Sequence, residues 1–445
     1  MPVDAVRDAA IDVLLRVFER DWQLDRSLDK TLRRKPVSDR GRRFMTQLVY
    51  GTVRHQLLCD AALQPICTQP LEKLPEAIRA ILRMAVFQAL FLDTVTRPAM
   101  VHTSVELAKK RGHAGLARLV NAVLRRAPNS LDDVKLPDPA QEPERYLNLR
   151  YSMPFWLVRR WKGEYGIDGA RALCERFAAE APMQLRVNTL KTTREQLQAW
   201  LAKKGIDTAP ATGLPDELTV LKGPGLVQSE AFRRGDFMIQ DAASMLPTYL
   251  LEPQPGERVL DLCAAPGGKT THLAQLAGGK ADITAMDLQF RKLALIRENI
   301  ERLGTPGIRV LAADAAAPPF GVQFDRVLLD APCSGLGTLR RHPELKYRVS
   351  EDSIRRLADR QRALLRSALR CVRPGGVVVY SVCTFTPEET TGVVEAVAAE
   401  CGARFEDGPE ILSPWAISQG QYQTRPGQEA LDGFFLTRLR APSSA

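Results

Sequence analysis

Histidine is scarce in this chain, with five residues, and none of the eight cysteines falls in a C-x-x-C pair. Neither a zinc site nor a disulfide framework is therefore expected, and no metal is assigned. No window offers the roughly 20 uninterrupted apolar residues that a membrane span requires. Even Ile78 to Leu92 is cut by Arg79 and Arg83. Asp4, Arg7, Asp8 and Asp12 break any apolar core near the amino terminus, so no secretory signal is expected. These absences lead to the expectation of a cytoplasmic, reduced, monomeric protein without a membrane partner. Internal repeats and low-complexity tracts are also missing.

At 445 residues the chain is too long for one hydrophobic core, and its patterning changes twice. From Ala5 to Arg126 apolar residues recur at helical spacing, as in Ile11, Leu14, Leu15 and Phe18, with Pro98 and Gly112 between candidate helices. Residues 1–135 are read as an all-α domain. Its first 130 residues hold 22 Lys and Arg against 13 Asp and Glu, which points to a polyanionic partner. The densest cluster is Arg33, Arg34, Lys35, Arg40, Arg42 and Arg43.

A Pro- and acid-rich stretch between Pro128 and Pro143 marks the first boundary. Pro154 suits the first turn of a helix. Met183 to Asn188 and Leu218 to Leu221 read as strands, with Thr192 and Glu195 as a capping box between them. Residues 150–235 form a small α+β, RRM-like subdomain in this reading.

Residues 236–441 then alternate apolar runs with helical stretches. Candidate strands are 258–262, 283–286, 308–311, 326–329, 377–382 and 434–439. The first five argue for a parallel, doubly wound α/β Rossmann-like domain, and the last supplies an edge strand.

Chemistry concentrates at the ends of those strands. The first leads into Asp261, Leu262, Cys263, Ala264, Ala265, Pro266, Gly267, Gly268, Lys269 and Thr270, then a helix. A P-loop reading of Gly268-Lys269-Thr270 fails on spacing, because the required first glycine is Cys263. The alternative is a nucleoside cofactor. Asp287 ends the second strand 20 residues after Gly267, where an acid accepts bonds from a ribose, while Asp314 and Asp330 follow the third and fourth. Three carboxylates suit a cationic, donor-rich ligand and suit phosphates badly, and S-adenosylmethionine meets that demand. Helix capping is the structural alternative for each aspartate.

Two cysteines also end strands: Cys333 in Asp330-Ala331-Pro332-Cys333 and Cys383 in Ser381-Val382-Cys383. If the strands are neighbours in one parallel sheet, both thiols emerge at its carboxyl edge. Cys263, by contrast, is expected to make backbone contacts without thiol chemistry.

These motifs, Asp330-Ala331-Pro332-Cys333-Ser334-Gly335 and Ser381-Val382-Cys383 behind Asp261 to Thr270, resemble the RNA cytosine-5 methyltransferase family. The likeness runs from Arg186-Val187-Asn188 through Gln240-Asp241 to Asp432-Gly433-Phe434-Phe435, and the first domain resembles a NusB-type RNA-binding domain. The resemblance implies methylation of cytosine carbon 5 in 16S ribosomal RNA, with transfer RNA or another ribosomal site as the alternative substrate. It assigns Cys383 as the nucleophile that adds to carbon 6, Cys333 as the residue assisting product release, and Asp330 as a contact to the cytosine near N3. The cofactor contacts implied are Cys263, Ala264, Ala265, Pro266, Gly267, Gly268, Lys269, Asp287, Asp314 and Asp330. The family usually has Thr where this chain has Val382. Lys269 and Arg340 are candidate cations for depressing a thiol pKa. Arg340, Arg341 and His342, with Arg355, Arg356, Arg360, Arg362, Arg366 and Arg370, are candidate RNA contacts, some of them expected instead to be solvated or paired with Glu351, Asp352 and Asp359. Arg186 and Asn188 are open between RNA contact and strand packing. Outside this class stand a nucleotide triphosphatase and a non-catalytic RNA-binding or assembly factor.

Overall fold

The computed structural model describes residues 4–443 except 36, 224, 322 and 426–430. It divides into two compact units. One runs through Glu180 and includes Leu339–Arg348; the other comprises Ala181–Thr338 and the chain from Val349 onward. The small unit expected over 150–235 spans that division.

The first unit is helical, with α1 Ala5–Arg20, α2 Leu24–Arg34, α3 Asp39–Arg54, α4 Gln56–Leu63, α5 Glu76–Phe91, α6 Arg97–Arg111, α7 Ala114–Leu124, α8 Pro143–Arg150 and α9 Phe155–Ala178. Asp4 caps α1 by accepting from the amides of Val6 and Arg7, both at 3.0 Å. Ile11 and Leu14 of α1 and Ile78, Ile81, Leu82 and Ala85 of α5 are fully buried in one core, as their spacing dictates. Pro98 lies in the first turn of α6 and not between helices, a position where its missing N–H costs nothing. Pro154 is the residue before α9 and not its first turn. Gly166, with φ +72°, breaks α9 into two segments.

Leu339–Arg348 is built into this unit. Lys346 is buried, donates to the Arg54 carbonyl at 2.8 Å, and is pulled down to about 7 by burial and by Arg54. Arg54 in turn donates to the Arg340 carbonyl at 2.8 Å, and Arg348 donates to the carbonyl of Trp22 at 2.7 Å.

The second unit holds two sheets. The smaller is antiparallel, in the order β2-β3-β1-β4, from β1 Met183–Val187, β2 Asp207–Ala209, β3 Glu217–Lys222 and β4 Phe237–Ile239. Helices α10 Arg194–Lys203 and α11 Glu230–Arg234 accompany it, and Leu185, Val187, Leu197, Leu201, Leu218 and Phe237 form its core. The capping box of α10 sits one residue later than expected. Thr193 Oγ1 accepts from the Gln196 amide at 3.2 Å, and Gln196 accepts from the Thr193 amide at 3.1 Å. Adjacent threonines each followed by a suitable partner made the two registers indistinguishable by pattern.

The larger sheet contains β5 Arg258–Asp261, β6 Asp282–Asp287, β7 Ile308–Ala312, β8 Phe324–Asp330, β9 Val372–Val382, β10 Arg404–Phe405, β11 Ala416–Ser418, β12 Gln421–Gln423 and β13 Phe435–Arg440. Helices α12 Leu246–Leu251, α13 Gly268–Leu276, α14 Leu293–Leu303, α15 Glu351–Cys371 and α16 Thr391–Cys401 accompany it. The main order is β11-β12-β13-β9-β8-β5-β6-β7, with β5 to β9 parallel. Val327, Leu328, Leu329 and Val377 to Val382 are buried, as parallel strands covered on both faces require. The expected edge strand β13 is internal. It runs antiparallel to β9 on one side, and β12 and β10 pair with its other side.

Strand order reverses beside β5: the next strand in sequence lies on one side, and β8 on the other. Such a switch point opens a crevice at the carboxyl ends of the strands.

Candidate active site

The loop leaving β5 turns through Gly267, whose φ of +97° belongs to the left-handed region. A side chain there would also press on Ile296, with its Cβ 3.2 Å from the Ile296 Cα. The turn delivers the amino end of α13 to a cavity of about 210 Å³. Cys263, Ala264, Ala265, Pro266, Gly268 and Lys269 line one side of it; Asp261 and Asp330 supply carboxylates. Met238, Ile239, Gln240, Asp241 and Ser244 complete the wall from the segment following the small sheet.

Asp261 is 1% exposed and accepts from Thr270 Oγ1 at 2.7 Å through Oδ2, whereas its buried Oδ1 has no partner at hydrogen-bonding geometry. Burial, reinforced by the charge of Asp330, pushes its pKa up to about 7. Asp261 also lines the cavity, so a cationic donor on the ligand would relieve the cost of burying its charge. S-adenosylmethionine, with an ammonium and a sulfonium, fits this donor set. A nucleotide triphosphate does not, because the one ammonium of the loop is already engaged: Lys269 Nζ donates to Asp330 Oδ2 at 2.6 Å. Burial lowers the Lys269 pKa, but the Asp330 ion pair more than offsets this and leaves it raised.

Strands β8 and β9 are adjacent and parallel, with Asp330 in register with Ser381. Ser381 Oγ donates to Asp330 Oδ1 at 2.7 Å, so both carboxylate oxygens are held. Three residues beyond Asp330 and two beyond Ser381, the thiols meet: Cys333 Sγ and Cys383 Sγ are 3.3 Å apart. Cys333 is held as a thiol chiefly by its hydrogen bond to Cys383, with burial and the charges of Cys383 and Glu389 acting in the same direction. At this separation the two thiols share one hydrogen bond in which either sulfur can donate. Cys263 is kept neutral by burial, with Asp261 adding to it.

The other sequence candidates are dispersed. Asp287 is half-buried and accepts from the amides of Ala265 at 3.2 Å and Gln289 at 2.9 Å; it braces the cofactor loop but is not among the residues lining the cavity. Asp314 is exposed and accepts from the Ala316 amide at 2.9 Å, also outside that lining. Val382 is fully buried in an apolar cluster with Val393 and Phe435, so a methyl suits the position where the family usually places a hydroxyl.

The basic candidates differ in their surroundings. Arg340 is 2% exposed, which removes it as an RNA contact. On α15, Arg355, Arg362 and Arg366 pair with Asp352, Asp359 and Glu400. The cluster from Arg33 to Arg43 is exposed at Arg33, Arg34, Lys35, Arg40, Arg42 and Arg43, with Arg33 paired to Asp29 and Lys35 to Asp12. Arg186 and Asn188 are interior. Arg186 donates to Gln240 Oε1, the Gly268 carbonyl and Thr271 Oγ1, and Asn188 Nδ2 donates to the carbonyls of Gly235 and Leu303, both at 2.8 Å. Strand packing is their role, and Arg186 thereby buttresses the first turn of α13.

Comparison with known proteins agrees with this architecture. Residues 248–440 match a family described as 16S rRNA methyltransferase RsmB/F, residues 4–129 the NusB family, and residues 153–227 an RsmF/B-like ferredoxin-like domain. A Bacillus subtilis protein described as a probable ribosomal RNA small subunit methyltransferase B is 36% identical, covering 99% of each chain. The crystal structure of PH0851 aligns over 99% of both chains with a TM-score of 0.83 and 28% identity. That of NSun6 from Pyrococcus horikoshii with SFG covers 65% of this chain and 98% of its own, with a TM-score of 0.60 and 27% identity.

Proposed function

Since the chain belongs to the RsmB/F family of S-adenosylmethionine-dependent 16S rRNA methyltransferases, we propose that it methylates carbon 5 of a cytosine in 16S rRNA through a covalent cysteine adduct. The observation that carries this reading is the pair of thiols 3.3 Å apart at the carboxyl edge of β8 and β9, beside Asp330 and the cofactor cavity. Carbon 5 of cytosine is a weak nucleophile, and one thiol suffices to activate it. A second is useful for undoing the adduct.

Cys383 adds as its thiolate to carbon 6, and Asp330 hydrogen-bonds the ring near N3 as it takes up charge. S-adenosylmethionine, held against Asp261, Asp330 and the loop from Cys263 to Lys269, supplies an electrophilic methyl when bound. Once Cys383 is covalently engaged, Cys333 loses the hydrogen-bond partner that chiefly keeps it protonated and can release its proton to solvent. Its thiolate then takes the carbon 5 proton. The C–H electron pair restores the ring double bond, the carbon 6–sulfur bond breaks, and Cys383 recovers its thiolate.

The exposed basic face of the helical unit supports RNA docking there, and a protein acting on this RNA works in the cytoplasm. Among the described residues no helix is long and apolar enough to cross a membrane. Incubation with 16S rRNA and S-adenosylmethionine, followed by nucleoside analysis, is expected to yield 5-methylcytidine. RNA binding without that product would instead favour an assembly factor.

A further inference from the structure

Glu389 takes no part in the steps above, yet it is fully buried, six residues beyond Cys383, at the end of the short turn Pro387–Glu389. Its carboxylate accepts four hydrogen bonds. The Ser334 amide, at 2.8 Å, and the Gln361 side chain, at 3.0 Å, reach Oε1; the hydroxyls of Ser334 and Thr386, the latter at 2.9 Å, reach Oε2. Ser334 follows Cys333 in the chain, and Thr386 lies three residues past Cys383. Gln361, from α15, also donates to the Pro332 carbonyl at 3.0 Å and so grips the first loop on the other side of Cys333. Tyr380, on β9, donates to the backbone carbonyl of Glu389 itself at 2.7 Å.

A carboxylate is strongly disfavoured away from water unless donors surround it, and no ion pair reaches Glu389 among the described residues. Its donors come instead from both thiol loops and from Gln361 of α15. Neither loop could shift against the other without stripping a buried charge of its partners.

We infer that Glu389 is a positioning residue that locks the Cys333 loop to the turn after Cys383, setting the separation of the two thiols and keeping Cys333 placed for product release. This rests on the roles proposed above for the thiols. The negative charge of Glu389 also helps hold Cys333 protonated until Cys383 is engaged, behind the larger effects of the Cys383 hydrogen bond and burial.

Two variants separate tie from charge. Glu389→Ala removes the tie. Glu389→Gln preserves its shape, because the Ser334 and Thr386 hydroxyls can turn to accept from an amide, but removes the charge. Adduct on denaturing gels and methyl incorporation would be followed from about pH 6 to 9, with cofactor affinity as the control for folding. Expected for Glu389→Ala is cofactor affinity within about twofold of wild type and release slowed at least about tenfold, so that adduct accumulates. Expected for Glu389→Gln is a rising limb of the release rate moved to lower pH, since losing a neighbouring negative charge eases deprotonation of Cys333.

Adduct formation and release falling in parallel, or an unmoved pH profile in Glu389→Gln, would overturn the inference. Should Glu389→Ala fail to fold, Ser334→Ala and Thr386→Ala each remove one donor; adduct accumulation in either supports the tie, and none in both overturns it. A wild-type protein that forms neither adduct nor 5-methylcytidine overturns the underlying reading, and the inference with it.

Discussion

Lys269 and Asp330 form an ion pair of 2.6 Å across the mouth of the switch point, one residue from the glycine turn and the other from the end of β8. Ser381, on β9, donates to the second oxygen of the same carboxylate at 2.7 Å. Through Asp330 the cofactor loop and both thiol-bearing strands share one polar contact. Its removal should therefore impair two functions together.

Lys269→Met leaves Asp330 with Ser381 alone. The expected result is a fall in kcat of about 100-fold or more, together with weakened cofactor binding. Asp330→Asn should lower kcat comparably with a smaller effect on cofactor affinity. Steady-state kinetics with calorimetric affinities would check both, and unchanged kcat in either variant contradicts the assignment.

Asp261 makes cofactor binding sensitive to pH. Its folded pKa of about 7 lies above the ordinary 3.8, so the carboxyl is largely protonated in the ligand-free protein below that value. For an acid shifted upward, the ligand-free protein loses stability as pH rises from about 4 to 7 and is level above it. A cationic ligand favours the ionised form, so affinity should increase toward pH 7, by up to about tenfold per unit, and then plateau. Asp261→Asn should flatten that dependence. Titrations between about pH 5.5 and 8 that show equal affinity throughout would refute the electrostatic account of the cavity.

Arg186 is 1% exposed, and burial pulls its pKa down to about 10. Arg186→Met removes the donors to Gln240, the Gly268 carbonyl and Thr271, and should cost about 2–4 kcal/mol of stability in denaturant unfolding. Cofactor affinity should fall as well, because the first turn of α13 loses its support. Loss of RNA affinity with stability unchanged would return Arg186 to the surface role that structure denies it.

The parts of this fold visible in the sequence are those with strong period or long apolar runs. β5 to β9 announce themselves because strands buried on both faces must be continuously apolar, and two of them carry cysteines at the same end. β10 to β12 are two or three residues long, and the polar ones, such as Gln421 and Gln423, give no periodic signal; β13 was consequently placed at an edge that β12 and β10 in fact cover. Lone polar residues give no local signal either. Arg186 and Glu389 belong to types that normally face water, and their burial draws on partners such as Gln240, Gly268, Ser334 and Gln361, 28 to 82 residues away, which no local pattern encodes. Glu389 in Thr386-Pro387-Glu388-Glu389 reads as a solvated turn. Gln240 and Asp241 carried family likeness, but only the packing of the small sheet brings them to the cavity.

The unequal roles of Cys333 and Cys383 are the central claim, and covalent trapping on RNA tests it most directly. Wild type, Cys383→Ala and Cys333→Ala would each be incubated with 16S rRNA and S-adenosylmethionine and resolved on a denaturing gel. The account predicts no shifted band for Cys383→Ala and a persistent protein–RNA band for Cys333→Ala, because the adduct forms but is not released. A persistent band from Cys383→Ala with none from Cys333→Ala would contradict it and exchange the two roles.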